Sequence, residues 1–279
     1  MGNIVTNSTN SKCTTFNCKR VLKNQPKCKN NDDNRKQLVV YLQNIRSLKN
    51  KINELLISLI DKKPDILCLT EHLLQDYEIS NTCIPTFKLV AKYCRHHRKQ
   101  GGVCIYIHES LDFKNISLLN YCSKQDIELA VIQIKKQKGN TILICIYRAP
   151  TGNFDSFLHN LEIVLQTHYT PFTDFIICGD ININYMEKDD KKDKLNNLLG
   201  TFNITDTVTF PTRIGNNTAT LIDNIFIDSS YCYIVEPCSN GLSDHEGLIL
   251  TLETPHLLFN ENKFIETSVN PVELQWVVL

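Results

Sequence analysis

The chain has 279 residues, 42% of them hydrophobic and 22% charged, with thirty Lys and Arg against thirty Asp and Glu for a formal net charge of zero. That apolar content can bury the core of one large domain, or at most two, and excludes a chain disordered throughout, while the even balance excludes the global basic excess of many nucleic-acid binders, so any basic surface must be local. No run approaches the ~18 apolar residues of a membrane span and the N-terminus lacks the apolar stretch of a signal peptide, so the sequence reads as an intracellular protein, nuclear or cytoplasmic, with no membrane expected.

Residues 1–36 are rich in Asn, Lys, Ser and Thr with little apolar periodicity and read as a flexible polar leader. Leu38-Val39-Val40-Tyr41-Leu42 reads as a buried strand. Ile52, Leu55, Leu56, Leu59 and Ile60 then recur at helical spacing until Lys62-Lys63-Pro64 ends the helix, and Asp65-Ile66-Leu67-Cys68-Leu69 is the next strand. This strand-helix-strand unit predicts two parallel strands. Short apolar or alternating runs at 87–94, 102–108, 127–136 and 141–147 predict four more strands. A stripe of Phe154, Phe157, Leu158, Leu161, Val164 and Leu165 predicts a second helix, followed by a strand over Phe175-Ile176-Ile177-Cys178-Gly179 and a more polar helix over 190–200. Strands near 221–227, 232–236 and 247–253 complete the pattern, and 256–279 reads as a tail or linker. Helices spaced among many strands predict two packed sheets flanked by helices in a single domain over 37–255.

Among the twelve cysteines, Cys68, Cys104, Cys145 and Cys178 lie inside apolar strand-like runs and read as reduced, buried thiols; Cys13, Cys18 and Cys28 lack the spacing and the histidine pair of a zinc site. Met1-Gly2 with Thr6 matches the short myristoylation pattern, but no polybasic second signal adjoins it, and it reads as chance. The local basic patch is Arg95-His96-His97-Arg98-Lys99, before Gly101-Gly102.

The residues that could carry chemistry sit where apolar strands stop. Glu71 follows Leu69-Thr70 and could bind a hard cation such as Mg²⁺; taken alone it reads first as a helix-start acid. Asn44 could assist it or merely end a strand. Asp180 and Asn182, at i and i+2 of an extended segment, can face one phosphate, Asp180 taking a proton from water and Asn182 donating a hydrogen bond. Asp223 could fix the tautomer of His245 and favour its imidazolium, Asp244 could serve the metal, and the hydroxyl of Tyr147 could reach a phosphate oxygen. Arg95, Arg98, Lys99 and Ser243 are the candidate substrate-binding residues.

In order, Gln43-Asn44-Ile45-Arg46-Ser47-Leu48, Pro64-Asp65-Ile66-Leu67-Cys68-Leu69-Thr70-Glu71, Gly101-Gly102-Val103-Cys104-Ile105-Tyr106, Tyr147-Arg148-Ala149-Pro150, Gly179-Asp180-Ile181-Asn182, Leu221-Ile222-Asp223-Asn224-Ile225-Phe226 and Leu242-Ser243-Asp244-His245 resemble the endonuclease/exonuclease/phosphatase superfamily over residues 38 to about 253. Their wording is most similar to the endonuclease domain of non-LTR (LINE-type) retrotransposons. The resemblance implies an α/β (α+β) fold, a four-layer α/β/β/α sandwich of the DNase I-like type, and a Mg²⁺-dependent hydrolase of phosphodiester bonds, with Mn²⁺ as a substitute, whose partner is DNA; no obligate protein partner is evident. It implies metal binding by Glu71 with Asn44 and Asp244, activation of water by Asp180, phosphate contacts from Asn182, Tyr147 and His245, and orientation of His245 by Asp223. Asn224 departs from a usual His, Ile181 from a usual Phe and Asn184 from a common Asp, and none of these removes a catalytic group. A phosphoesterase acting on a lipid or nucleotide phosphoester, and a catalytically inactive retroelement remnant, are the alternatives.

Overall fold

Strand β1 (Gln37–Asn44), helix α1 (Ile52–Leu59) and strand β2 (Ile66–Thr70) form the parallel unit that the sequence predicts, with Val40 opposite Ile66 and Asn44 opposite Thr70. Alternation along β1 sorts its side chains. Leu38, Val40 and Leu42 enter the central core, while Tyr41 joins Leu55 and Leu59 of α1 in a second cluster on the other face. Asn44 continues the inward parity of Leu42, so the strand delivers an amide to the end of the inter-sheet core.

The computed structural model describes residues 37–95, 101–123, 125–136, 138–215 and 217–253. The expected leader and tail, and Cys13, Cys18, Cys28, Arg98 and Lys99, lie outside the described residues. Within them the remaining elements are helix α2 (Asp76–Ser80), strands β3 (Phe87–Tyr93), β4 (Val103–His108), β5 (Phe113–Ile116), β6 (Glu128–Lys135) and β7 (Asn140–Tyr147), helix α3 (Phe154–His168), strand β8 (Thr173–Asp180), helix α4 (Asp190–Gly200), and strands β9 (Ile204–Asp206), β10 (Arg213–Ile214), β11 (Ala219–Thr220), β12 (Asp223–Asp228), β13 (Tyr233–Cys238) and β14 (Gly247–Glu253).

Two six-stranded sheets result, ordered β13-β14-β1-β2-β4-β3 and β5-β6-β7-β8-β12-β9. Each contains one parallel pair joined through a helix, β1-α1-β2 in the first and β7-α3-β8 in the second, and its other pairs are antiparallel. Helix α1 covers the outer face of the first sheet. Phe157, Leu161, Val164 and Leu165 of α3 and Leu195 and Leu199 of α4 join the core of the second. This is the α/β/β/α sandwich that the sequence predicts. Cys68, Cys104, Cys145 and Cys178 are fully buried free thiols within it. No helix among the described residues is long and apolar enough to cross a membrane.

The sequence does not signal α2, β5, β9 or the β10–β11 hairpin, because these are short segments with too few apolar residues to show a period. Gly179 marks the tightest approach inside the second sheet. A Cβ there would lie 1.8 Å from the Ile146 carbonyl oxygen, so only glycine lets β8 close against β7 one residue before Asp180.

Candidate active site

One register row crosses the second sheet at the end where β7 and β8 finish: Glu128 is opposite Tyr147, Tyr147 opposite Asp180, and Asp180 opposite Asp223. Paired residues project from the same face, so this row points its polar groups together toward the first sheet. Asn44 meets it there. Its Nδ2 donates to Asp180 Oδ2 at 2.8 Å and to Glu71 Oε1 at 3.2 Å, while its Oδ1 accepts from the Arg46 amide at 3.2 Å. Asn44 therefore acts as a donor that aligns two carboxylates. Glu71 adopts the left-handed region (φ 51°), a conformation that a non-glycine residue keeps only when its surroundings impose it. The neighbouring contacts do so: Ser47 N donates to the Glu71 carbonyl at 2.8 Å, and Leu73 N to that of Gly101 at 3.2 Å. His72 is packed against Gly102 and linked to the Tyr93 carbonyl and the Leu74 amide, and burial holds it neutral with its pKa pushed down to about 4.

His245 and Asp223 form a buried pair, with Nδ1 2.8 Å from Oδ2. Burial by itself lowers the imidazole, but the hydrogen bond and charge of Asp223, with Asp180 and Asp244 nearby, hold its pKa above the ordinary value. Thr212 secures the start of β12, its Oγ1 accepting from the Ile222 and Asp223 amides. Asp180 behaves in the opposite sense to a surface acid. Burial, with the Asp223 charge adding to it, pushes its pKa up to about 8 against the pull of His245 and of the Asn44 hydrogen bond. Tyr147 reaches Glu71, and burial together with the charges of Glu71 and Asp180 raises its phenol well above the usual range.

Asn182, also left-handed (φ 50°), donates from Nδ2 to the Arg148 carbonyl at 2.8 Å and from its backbone to Asp180 Oδ1 at 3.0 Å. One amide hydrogen therefore remains for a phosphate. Arg148, to which the sequence gives no signal of its own, is fully buried and donates to the carbonyls of Ala149, Gly152, Ile181 and Asn182, so it fixes the loop that carries Asn182.

Three expectations change. Arg95 is not a surface cation: it is buried in an ion pair with Glu128, with its guanidinium 5.6 Å above the Tyr147 ring, because Glu128 at the head of the register row needs a counter-charge. Ser243 is engaged within its own turn, its Oγ donating to the Asn44 carbonyl at 2.6 Å and accepting from His245 N at 3.1 Å, so it ties the end of β1 to the loop before β14 instead of facing outward. Asp244, expected at a metal, has both oxygens occupied by arginines: Arg46 Nη1 at 2.6 Å and Arg213 Nε at 2.8 Å. These hydrogen bonds overcome the upward effect of its partial burial and bring its pKa down to about 2.

The family model described as the endonuclease/exonuclease/phosphatase family matches residues 40–245. The chain belongs to that family. It is a hydrolase of phosphodiester bonds, a nuclease or phosphoesterase. Among curated proteins none matches the chain in sequence. Solved structures share the fold: the endonuclease domain of TRAS1, a telomere-specific non-LTR retrotransposon, is similar with a TM-score of 0.61 and 17% identity, over 78% of this chain and 99% of that one. The AP endonuclease LMAP of Leishmania major is similar with a TM-score of 0.61 and 15% identity, over 80% of this chain and 90% of that one. A humanised D. rerio TDP2 gives 0.59 and 16%, over 78% and 99%.

The site suits the divalent cation typical of this family. Asn44 brings the carboxylates of Glu71 and Asp180 onto one amide, ligand atoms of Asp180, Asp223 and His245 lie within 4.8 Å of one another, and Asp223 Oδ1 is buried without a partner, so acidic oxygens crowd one rim. A hard cation relieves that condition.

Proposed function

We propose that this endonuclease/exonuclease/phosphatase family member is a Mg²⁺-dependent endonuclease that nicks DNA, of the non-LTR retrotransposon type. The observation that carries the reading is the junction at Asn44, which joins the Glu71 carboxylate of one sheet to Asp180 of the other beside the Asp223–His245 pair. Glu71 would hold the cation, aligned by Asn44, because the imidazole of the buried trio is already paired and Asp180 is needed for water. When bound, Mg²⁺ supplies charge neutralisation at the phosphoryl oxygens.

The side chains divide the remaining work. Asp180 takes the proton of the attacking water at a carboxylate oxygen, held in place by the Asn44 amide and the Asn182 backbone. His245, with Nδ1 fixed by Asp223, presents Nε2 to a phosphoryl oxygen, and the Tyr147 hydroxyl and the second amide hydrogen of Asn182 add donors where charge develops. The choice of DNA is supported by the retroelement-like wording of Asn44-Ile45-Arg46-Ser47-Leu48, Leu69-Thr70-Glu71 and Tyr147-Arg148-Ala149-Pro150, and by the likeness to the TRAS1 endonuclease domain.

Nicking of supercoiled plasmid in Mg²⁺ tests this. Wild type should relax the plasmid while Asp180→Ala and His245→Ala do not, and activity no higher than in those variants would sink the proposal. Turnover of a lipid or nucleotide phosphoester with inertness toward DNA would reassign the substrate. Absence of a Glu71-dependent Mg²⁺ signal in calorimetry would instead mark an inert remnant.

A further inference from the structure

Two arginines from opposite ends of the described chain converge on one carboxylate beside the site. Arg46 and Arg213 each approach Asp244, and their side chains are 49% and 43% exposed, so two guanidinium groups share a single acid and leave an excess positive charge open to solvent. Both are tied to the catalytic groups by backbone. Arg213 forms an antiparallel bridge with His245, flanked by Ile214 N to the Asp244 carbonyl at 3.0 Å and Glu246 N to the Thr212 carbonyl at 2.7 Å. Arg46 sits two residues after Asn44 in a left-handed turn (φ 43°, followed by Ser47 at 84°) that its surroundings must hold. Lys51 helps to hold it, its Nζ donating to the carbonyls of Ile45, Arg46 and Leu242 and so stapling the loop that carries Arg46 to the one that carries Asp244.

We propose that Arg213 and Arg46 form a second phosphate subsite, which grips the backbone phosphate next to the one being cut, and that Asp244 is the positioning residue that keeps the two guanidiniums apart and aimed. Planar guanidiniums engage phosphate oxygens through paired N–H groups, and each has donors beyond the one that Asp244 accepts. The proposal rests on the reading of the enzyme as a nuclease. Its chemical content is that the substrate extends past the bond being cut: a nucleic-acid strand has a neighbouring backbone phosphate for this pair, whereas a simple diester such as bis(p-nitrophenyl) phosphate has none.

The experiment measures binding of a fluorescent duplex oligonucleotide by anisotropy in EDTA, across a salt series, for wild type, Arg213→Gln, Arg46→Gln and Arg213→Lys. Each glutamine variant should weaken binding about tenfold and reduce the slope of log affinity against log salt by about 1. Arg213→Lys should recover part of the affinity, which a packing role would not allow. In Mg²⁺, the same glutamine variants should lose far more activity on DNA than on bis(p-nitrophenyl) phosphate. Wild type that cuts DNA, with variants that bind it at wild-type affinity and salt slope, would overturn the subsite and leave the nuclease reading intact. Equal losses on DNA and on the small diester would overturn it too, since the arginines would then act on the reacting phosphate or on the fold. Wild type that neither binds nor cuts DNA would remove both proposals together.

Discussion

Asp180 and Asp244 are carboxylates of the same rim with opposite electrostatics. Asp180 is buried in the register row, receives only amide donors and the influence of one imidazole, and is pushed up to about 8; Asp244 lies half-open between two arginines and is drawn down to about 2. The difference shows how one rim can set two carboxylates apart: desolvation tunes the first, and ion pairing in a wetter setting tunes the second.

The strongest way to break that contrast is Asp180→Asn. Its activity should fall at least a thousandfold, because the proton acceptor is gone. Its metal-free stability should move the other way. A carboxyl whose folded-state pKa is raised from near 4 to about 8 favours the folded state at low pH and loses that benefit as pH rises through this window, so at pH 7 folding must take up a proton that the unfolded chain has already released. After allowance for one weakened acceptor, the variant should be more stable at pH 7 by roughly 1–3 kcal/mol, and the gap should vanish below pH 4. Thermal melts in EDTA across pH check this; a less stable variant at pH 7 would contradict the account of Asp180.

The Arg95–Glu128 pair is the intermediate case, buried like Asp180 but partnered like Asp244. Burial still raises Glu128 despite Arg95 and the Gly102 amide. Arg95→Ala should therefore destabilise the fold by about 3–5 kcal/mol and loosen Tyr147, and Arg95→Ala with Glu128→Leu should recover much of the loss in urea unfolding. Third, Asp223→Asn should lower activity on the order of a hundredfold. In it the His245 titration followed by NMR should move down, since the carboxylate that favours the imidazolium is gone; an unmoved titration would remove Asp223 from its role. The smallest effect belongs to Asp244→Asn, whose stability change should stay under about 1 kcal/mol because exposed pairs are screened. That contribution is present above pH 4, fades as pH falls toward 2, and should disappear in molar salt.

Much of this contrast was legible in the sequence on one side only. Asn44, Glu71, Tyr147 and Asp180 could be picked out because apolar β-branched runs stop at them, and a strand that ends must hand its next side chain to a loop, whereas Asp223 opens its strand. The two flanking strand-helix-strand units were legible for the same reason. The partners of Asp244 were not: Arg46 lies 198 positions away, and no periodicity links them. Arg95 was misplaced because a run of basic residues reads as solvated surface, and only the register row reveals the buried Glu128 that draws it in. The hydroxyl of Ser243 turns inward because local side-chain-to-backbone bonds compete for the same atoms that a substrate would use.

The register row of Tyr147, Asp180 and Asp223 has a consequence for how such an enzyme fails and diversifies. Their spacing is that of neighbouring strands, ~4.8 Å apart, and it is fixed by the same ladder that holds the sheet together. No hinge can separate these three groups while the sheet persists. Their amides should be among the slowest to exchange with solvent, and heat inactivation should coincide with global unfolding instead of preceding it. Sequence change can then reshape the surrounding loops freely, while the central chemistry is inherited as a fixed piece of backbone.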